Sequence, residues 1–523
     1  MKKITTILLL SVLFISACSG GDSEEKEATT TSSGDNISIV LNGDSITSDS
    51  DQVTVDGSTA TITAAGTYEV SGELDDGQIR VDVGDNDEVT LILNGATIHN
   101  EDSAAIYVVN ADTTTISLAE GSNNTLSDGN EYTFENVDEE PDATLFSHDD
   151  LVISGSGTLN INAAYGDAIA SKDDLEIYDA TINVDANDDG IRGKDSITVE
   201  NATLNITAVA DAMKSTNDSD TEKGYILIES GTFTITTTGS TESSSKGIKA
   251  YTSITINGGT FDINSSDDSI HAADITITGG EYMLASGDDG IHADNILDIG
   301  AGTINITDSY EGLEAADLRI SGGTIDIVCK DDGINAAGGT DTTTASGRQG
   351  DMFSTSSGTL TISGGTITVD AEGDGIDVNG DATISGGTII VHGPASGGNG
   401  ALDYDGTFEV TGGTLVAVGT SDMAMSISGS QNSVMINLTS TYTAGSKVRI
   451  VSADGDEIMS YTAIKNFQSI VFSDEQLKTN TSYTVYIDDE EYTTFTASSG
   501  STQVGTSGGM MPGGDQGQGG GFR

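Results

Sequence analysis

Ile254-Thr255-Ile256-Asn257-Gly258-Gly259-Thr260-Phe261-Asp262-Ile263 decides the fold. Two short runs alternate apolar and polar residues, the period of a β-strand with one face buried. The Gly-Gly pair between them is a tight turn. Working outward, each copy of this phrase follows a small residue and one apolar anchor. The anchors are Ile169, Ile191, Met213, Ile248, Ile270, Ile291, Leu313, Ile334, Ile376 and Leu402. Most steps between them are 21 or 22 residues, with insertions near 217–224 and 338–358. Upstream, Leu145 fits the column and Ile106 extends it. A repeat of this length is one supersecondary unit that buries its apolar face only by stacking on its neighbours. Proline is almost missing and no segment carries a helical period. The expected fold is all-β, a right-handed parallel β-helix with three short strands per coil.

Outside the repeat, Lys2 and Lys3 precede an apolar run, Ile7 to Ile15, too short for a membrane span but placed as an export signal is. Ile15-Ser16-Ala17-Cys18 then reads as a bacterial lipobox, so 1–18 is the signal and Cys18 the lipidated mature terminus. Residues 19–36 have the Ser/Gly/Glu/Thr composition of a flexible tether. The β-helix is expected over 37–420. A small separate β domain is expected over 421–497, with strands at Ser433 to Asn437, Lys447 to Ser452, Ser469 to Phe472 and Ser482 to Asp488. Residues 498–523 read as a disordered Gly-rich tail. The only cysteine besides Cys18 is Cys329, so the mature fold holds no internal disulfide.

The formal net charge is −64, with 83 acids against 19 Lys and Arg. That balance excludes nucleic acid as a partner, since phosphate binding needs a basic face. It also calls for screening by salt or bound cations. Stacking the coils turns the acids into a ladder. Two places before the anchor stand Asp167, Asp189, Asp211, Lys246, Asp268, Asp289, Glu311, Asp332 and Asp374. Asp188, Asp267, Asp288 and Asp331 add second acids. Carboxylates about 4.8 Å apart repel one another, and hard oxygen donors in that array suit calcium better than zinc. The competing reading is that Asp and Gly are simply good turn formers. It accounts for the glycines better than for the doublets.

One place after the anchor the column reads Ala170, Arg192, Lys214, Lys249, His271, His292, Glu314, Asn335, Asp377 and Asp403. Lys194 lies two places beyond Arg192, and Lys172 two places beyond Ala170. Alternation points the column away from the core, toward solvent. Two readings stay open. The bases neutralise neighbouring acids, or Arg192, Lys194, Lys214, Lys249, His271 and His292 line a groove for an anionic or hydroxyl-rich chain. Trp is absent and aromatic residues are 5% of the chain, so no flat platform for sugar rings is evident.

At particular strings the chain resembles a bacterial cell-surface family of carbohydrate-binding domain-containing proteins. They are Asn110–Gly121 (NADTTTISLAEG), Phe146–Leu151 (FSHDDL), Asp188–Asp195 (DDGIRGKD), Met213–Asp218 (MKSTND) and Phe467–Ser473 (FQSIVFS). The resemblance implies a calcium-binding parallel β-helix, similar in shape to family 9 pectate lyases. It implies binding of acidic pectin-like chains or cellulose at the cell surface, without established cleavage. A calcium ion bridging protein and uronate carboxylates would reconcile an acidic protein with an acidic ligand. The alternatives are a lyase acting by β-elimination, with Lys214, Lys249, Lys194 or Arg192 as base, and a structural or adhesive solenoid. A monomer is expected.

Overall fold

The computed structural model describes residues 36–134, 140–241, 244–337 and 358–505. The expected signal, Cys18 and nearly all of the tether lie outside these residues.

The chain winds as a parallel β-helix. Consecutive coils repeat three strands, as in Ile191–Gly193, Ser196–Glu200 and Ala202–Ala208, followed by Met213–Ser215, Tyr225–Ile228 and Gly231–Thr237. Each strand pairs in parallel with its equivalent one coil on: Ile191 with Met213, Ile197 with Ile226, Leu204 with Phe233. The anchor column is in register from Ile106 through Leu145, Ile169, Ile191, Met213, Ile248, Ile270, Ile291, Leu313, Ile334 and Ile376 to Leu402. Ile79 extends it one coil earlier. These side chains are buried and belong to one continuous core. Each buried Ile or Leu contributes about 1.5–3 kcal/mol relative to exposure. Phe233, Phe261 and Tyr282 stack within that core, centroids 4.6 and 4.7 Å apart.

The second glycine of the Gly-Gly turn has a steric cause. Gly365 holds φ at +92°, and a Cβ there would lie 3.0 Å from the Gly322 carbonyl of the coil below. A side chain would fight both the backbone conformation and the coil spacing. Outside the turns, Asn183 donates to Asn160 and Asn205 to Asn183, each at 2.8 Å, a side-chain ladder along the outer surface. The insertion at 217–224 joins the first strand of a coil to the second, and 338–357, outside the described residues, joins the same two positions.

The C-terminal segment differs from a separate domain. Phe467–Ser473 pairs antiparallel with the last coil strand, Thr414–Gly419, and also with Ser433–Tyr442. The solenoid sheet thus runs directly into this segment, and Val416 and Val418 of the last coil share its apolar cluster. A second sheet, ordered Glu457–Thr462, Lys447–Ser452, Ser482–Ile487, Glu490–Thr496, closes the other side. Covering the last coil this way removes an open sheet edge. Ser501–Val504 is a strand parallel to Ser433–Tyr442, so the start of the expected disordered tail is ordered, and its residues 506–523 lie outside the described residues. The strand's backbone groups are satisfied by an available edge, which composition does not reveal.

Candidate functional site

The acidic column lies on the turn before each first-face strand, and its carboxylates do structural work. In most coils one carboxylate oxygen accepts the backbone N–H of the equivalent residue in the next coil. Asp189 N–H donates to Asp167 Oδ1 (3.0 Å), Asp211 N–H to Asp189 Oδ1 (3.0 Å) and Lys246 N–H to Asp211 Oδ1 (2.9 Å). Asp289 N–H donates likewise to Asp268 Oδ1 (3.0 Å), and Asp374 N–H to Asp332 Oδ1 (2.6 Å). The residue that follows has to be small: a Cβ on Gly312 would lie 2.3 Å from the Gly333 carbonyl. Turn-forming chemistry and ladder charge are therefore two uses of the same side chain.

The second carboxylate oxygen faces the basic column, whose register is as expected and whose exposure is not. Arg192, Lys214 and Lys249 are only partly exposed, and His271 and His292 are buried. The long side chains lie back over the Asp column instead of projecting into solvent. Arg192 Nε donates to Asp167 Oδ2 (2.6 Å) and its Nη2 to Asp142 Oδ2 (2.7 Å). Lys214 Nζ is 3.1 Å from Asp189 Oδ2 and 3.0 Å from Asp211 Oδ2. Lys249 Nζ lies 3.7 Å from Asp211 Oδ2 and donates to Ser244 Oγ. His271 Nδ1 is 2.7 Å from Asp268 Oδ2, and His292 Nδ1 is 3.4 Å from Asp289 Oδ2. Lys194 is exposed and stands apart from this set. Burial alone would lower the Lys214 pKa, but Asp189 and Asp211 outweigh it and hold the amine above its ordinary value. Asp167 and Asp142 do the same for Arg192.

Lys246, which breaks the acidic run in the sequence, is 1% exposed. Its Nζ lies 2.5 Å from Asp268 Oδ2 and 3.1 Å from Asp267 Oδ2. It places a cation inside the ladder where other coils place a carboxylate.

Beyond His292 the basic column gives way to Glu314, Asn335, Asp377 and Asp403, and the ladder continues through Glu311, Asp332 and Asp374. Among these groups the pKa values rise. Burial, then Asp374 and Asp331, push Asp332 up to about 8. Burial and nearby acids push Asp374 up to about 7 and Asp377 to about 6. Glu311 and Glu314 are raised well above their ordinary value, by burial first. Asp332, Asp374 and Asp377 each present an oxygen within 4.8 Å of the others, as do Asp267, Asp268 and Asp288. Asp331 is half-buried beside Asp332, whereas Asp188 is exposed. The Asp332 group is oxygen-only and, among the described residues, is not ion-paired to a base, a donor set that fits calcium. The same face carries Tyr251, 56% exposed, two places beyond Lys249 and in phase with Lys172 and Lys194. Reading that phase onward from Lys172 and Lys194 would have found it.

Fold and site together define a parallel β-helix with a carboxylate ladder along one face, base-paired in its first half and base-poor in its second. Residues 56–242, 236–290 and 288–509 match the family described as carbohydrate-binding domain-containing protein, and the chain belongs to that family. A carbohydrate-binding domain-containing protein of Acetivibrio thermocellus is 37% identical over 188 residues. That match spans 35% of this chain and 65% of the relative, under two thirds of its length. A solved structure described as a polysaccharide lyase-like protein from C. thermocellum, gadolinium derivative, is 33% identical. It covers 47% of this chain and 92% of its own, with a TM-score of 0.41.

Proposed function

We propose that the protein is a non-catalytic, calcium-dependent polysaccharide-binding protein, held at the bacterial cell surface by a lipid on Cys18. The observation that carries this reading is the in-register polar face from Arg192 to Asp403, whose second half, among the described residues, gathers carboxylates without paired bases. A linear polymer lying along the helix axis meets the same side-chain geometry coil after coil. Asp332, Asp374 and Asp377 would hold calcium, with Asp331 and Asp403 beside them. The ion would supply positive charge to a uronate carboxylate. Lys194 and Tyr251 offer an exposed ammonium and ring on the same face for an acidic pectin-like chain or cellulose. The raised pKa values of Lys214 and Arg192 support binding over β-elimination, because a general base has to give up its proton near the working pH.

The test is a screen of the mature protein against immobilised polygalacturonate, cellulose and neutral polymers, with ultraviolet absorbance followed for unsaturated ends. Retention without new absorbance is expected. Rising absorbance would replace the reading with a lyase, and retention on none of the polymers would leave a structural solenoid.

A further inference from the structure

We infer that His271, His292 and Asp294 form a binding site for a divalent first-row transition metal such as zinc, distinct in chemistry from the oxygen-only carboxylate groups. The two histidines are in-register partners on adjacent coils, their ring centroids 4.6 Å apart. Asp294 follows His292 by two residues on the same strand and so presents its side chain to the same face. Its Oδ1 lies 3.9 Å from His271 Nε2 and 4.0 Å from His292 Nε2.

The other ring nitrogens are already engaged. Asp268 Oδ2 faces His271 Nδ1 at 2.7 Å, and Asp289 Oδ2 faces His292 Nδ1 at 3.4 Å. A carboxylate on Nδ1 fixes the tautomer that turns the Nε2 lone pair outward, the usual support for a metal-binding imidazole. Two such carboxylate–imidazole pairs converge on one aspartate. His292 is 4% exposed, yet its Nε2 is buried with no hydrogen-bond partner. That is a costly state for a polar atom unless something else occupies its lone pair.

Ligand atoms around a tetrahedral zinc stand about 3.3 Å apart, so the partly exposed Asp294 carboxylate has to approach each imidazole by about 0.6 Å. Two imidazoles and one carboxylate leave a fourth position of a tetrahedral ion for a water or a ligand. The Asp268, Asp289 and Glu314 carboxylates that surround the two rings favour a divalent cation there. Nitrogen donors select zinc, cobalt or nickel over calcium.

The experiment uses the full mature chain, freed of metal and titrated with cobalt(II) in a large excess of calcium. One cobalt ion per chain is expected, with visible ligand-field bands and imidazole nitrogen in the X-ray absorption spectrum. The remaining histidines, His99, His148 and His392, are each hydrogen-bonded elsewhere, so a two-imidazole signal reports this pair. His271→Asn and His292→Asn should each weaken cobalt binding by about a hundredfold, and Asp294→Asn by about tenfold. Asp294 is only half-buried, which makes its variant safe to fold, and circular dichroism checks all three. Cobalt displaced by equimolar calcium, a spectrum of oxygen donors alone, no binding, or unchanged affinity in folded variants would each overturn the assignment.

Discussion

Replacing Lys246 with methionine removes one ammonium and nearly nothing else, since the two side chains are close in length. What remains is Asp268, 1% exposed, and Asp267, 2% exposed, with the Lys246 Nζ contacts at 2.5 and 3.1 Å lost. Asp268 keeps His271 at 2.7 Å and His292 at 3.8 Å, but the ammonium it shared with Asp267 is gone. Removing one partner from a buried ion pair costs about 3–5 kcal/mol, because the partner left behind stays buried and charged. At about 1.4 kcal/mol per decade, local opening becomes about 150-fold to 4000-fold more frequent. Solenoids open coil by coil, so a global midpoint is a poor readout. Amide hydrogen exchange resolves the effect: peptides from 244 to 292 should lose protection by that factor while those from 381 to 419 keep theirs. Adding Asp267→Asn to the variant should restore part of the loss. Less than about fivefold loss, roughly 1 kcal/mol, or loss spread evenly over all coils, would refute the argument that Lys246 neutralises the ladder.

Further outcomes follow from the same geometry. The pKa values of Asp332, Asp374 and Asp377 stand at about 8, 7 and 6 against 3.8 unperturbed, so the folded state binds more protons than the unfolded one between those limits. In chelator, exchange protection of peptides 359–392 should therefore fall as pH rises from about 4 to 8, and calcium should flatten the trend. Gly365→Ala forces a side chain onto φ +92° and against the Gly322 carbonyl, and should destabilise its coil by about 1–2 kcal/mol or more in local exchange. Tyr251→Ala, at an exposed ring, should leave stability within about 0.5 kcal/mol while weakening retention on immobilised polysaccharide.

The anchor column was legible because a buried apolar residue behind a small one recurs in a fixed phase, and stacking leaves that phase no freedom. The partners from Leu145 to Leu402 follow directly. Ile79 was harder to see, because Gly77 and Ala104 stand where later coils carry Asp. The basic column was legible in register and misjudged in exposure: alternation says which way Cβ points, not that Arg192 and Lys214 fold back over the carboxylates. Lys246 reads as an interruption in one dimension and as a counter-ion in three. Asp294 joins His271 only across a coil boundary, a relation that spacing along the chain does not express. The C-terminal strands were visible as apolar alternation, but their continuity with Thr414–Gly419 depends on a pairing between distant segments.

Calcium-dependent polysaccharide binding through the base-poor half of the ladder is tested most directly by co-sedimentation with polygalacturonate. Wild-type protein and the Asp374→Asn/Asp377→Asn variant would be compared in calcium and in chelator, with circular dichroism confirming the fold. Retention in calcium is predicted, with loss in chelator and about tenfold or greater weakening in the variant, worth about 1.4 kcal/mol. Retention that ignores both chelator and substitution would contradict the account.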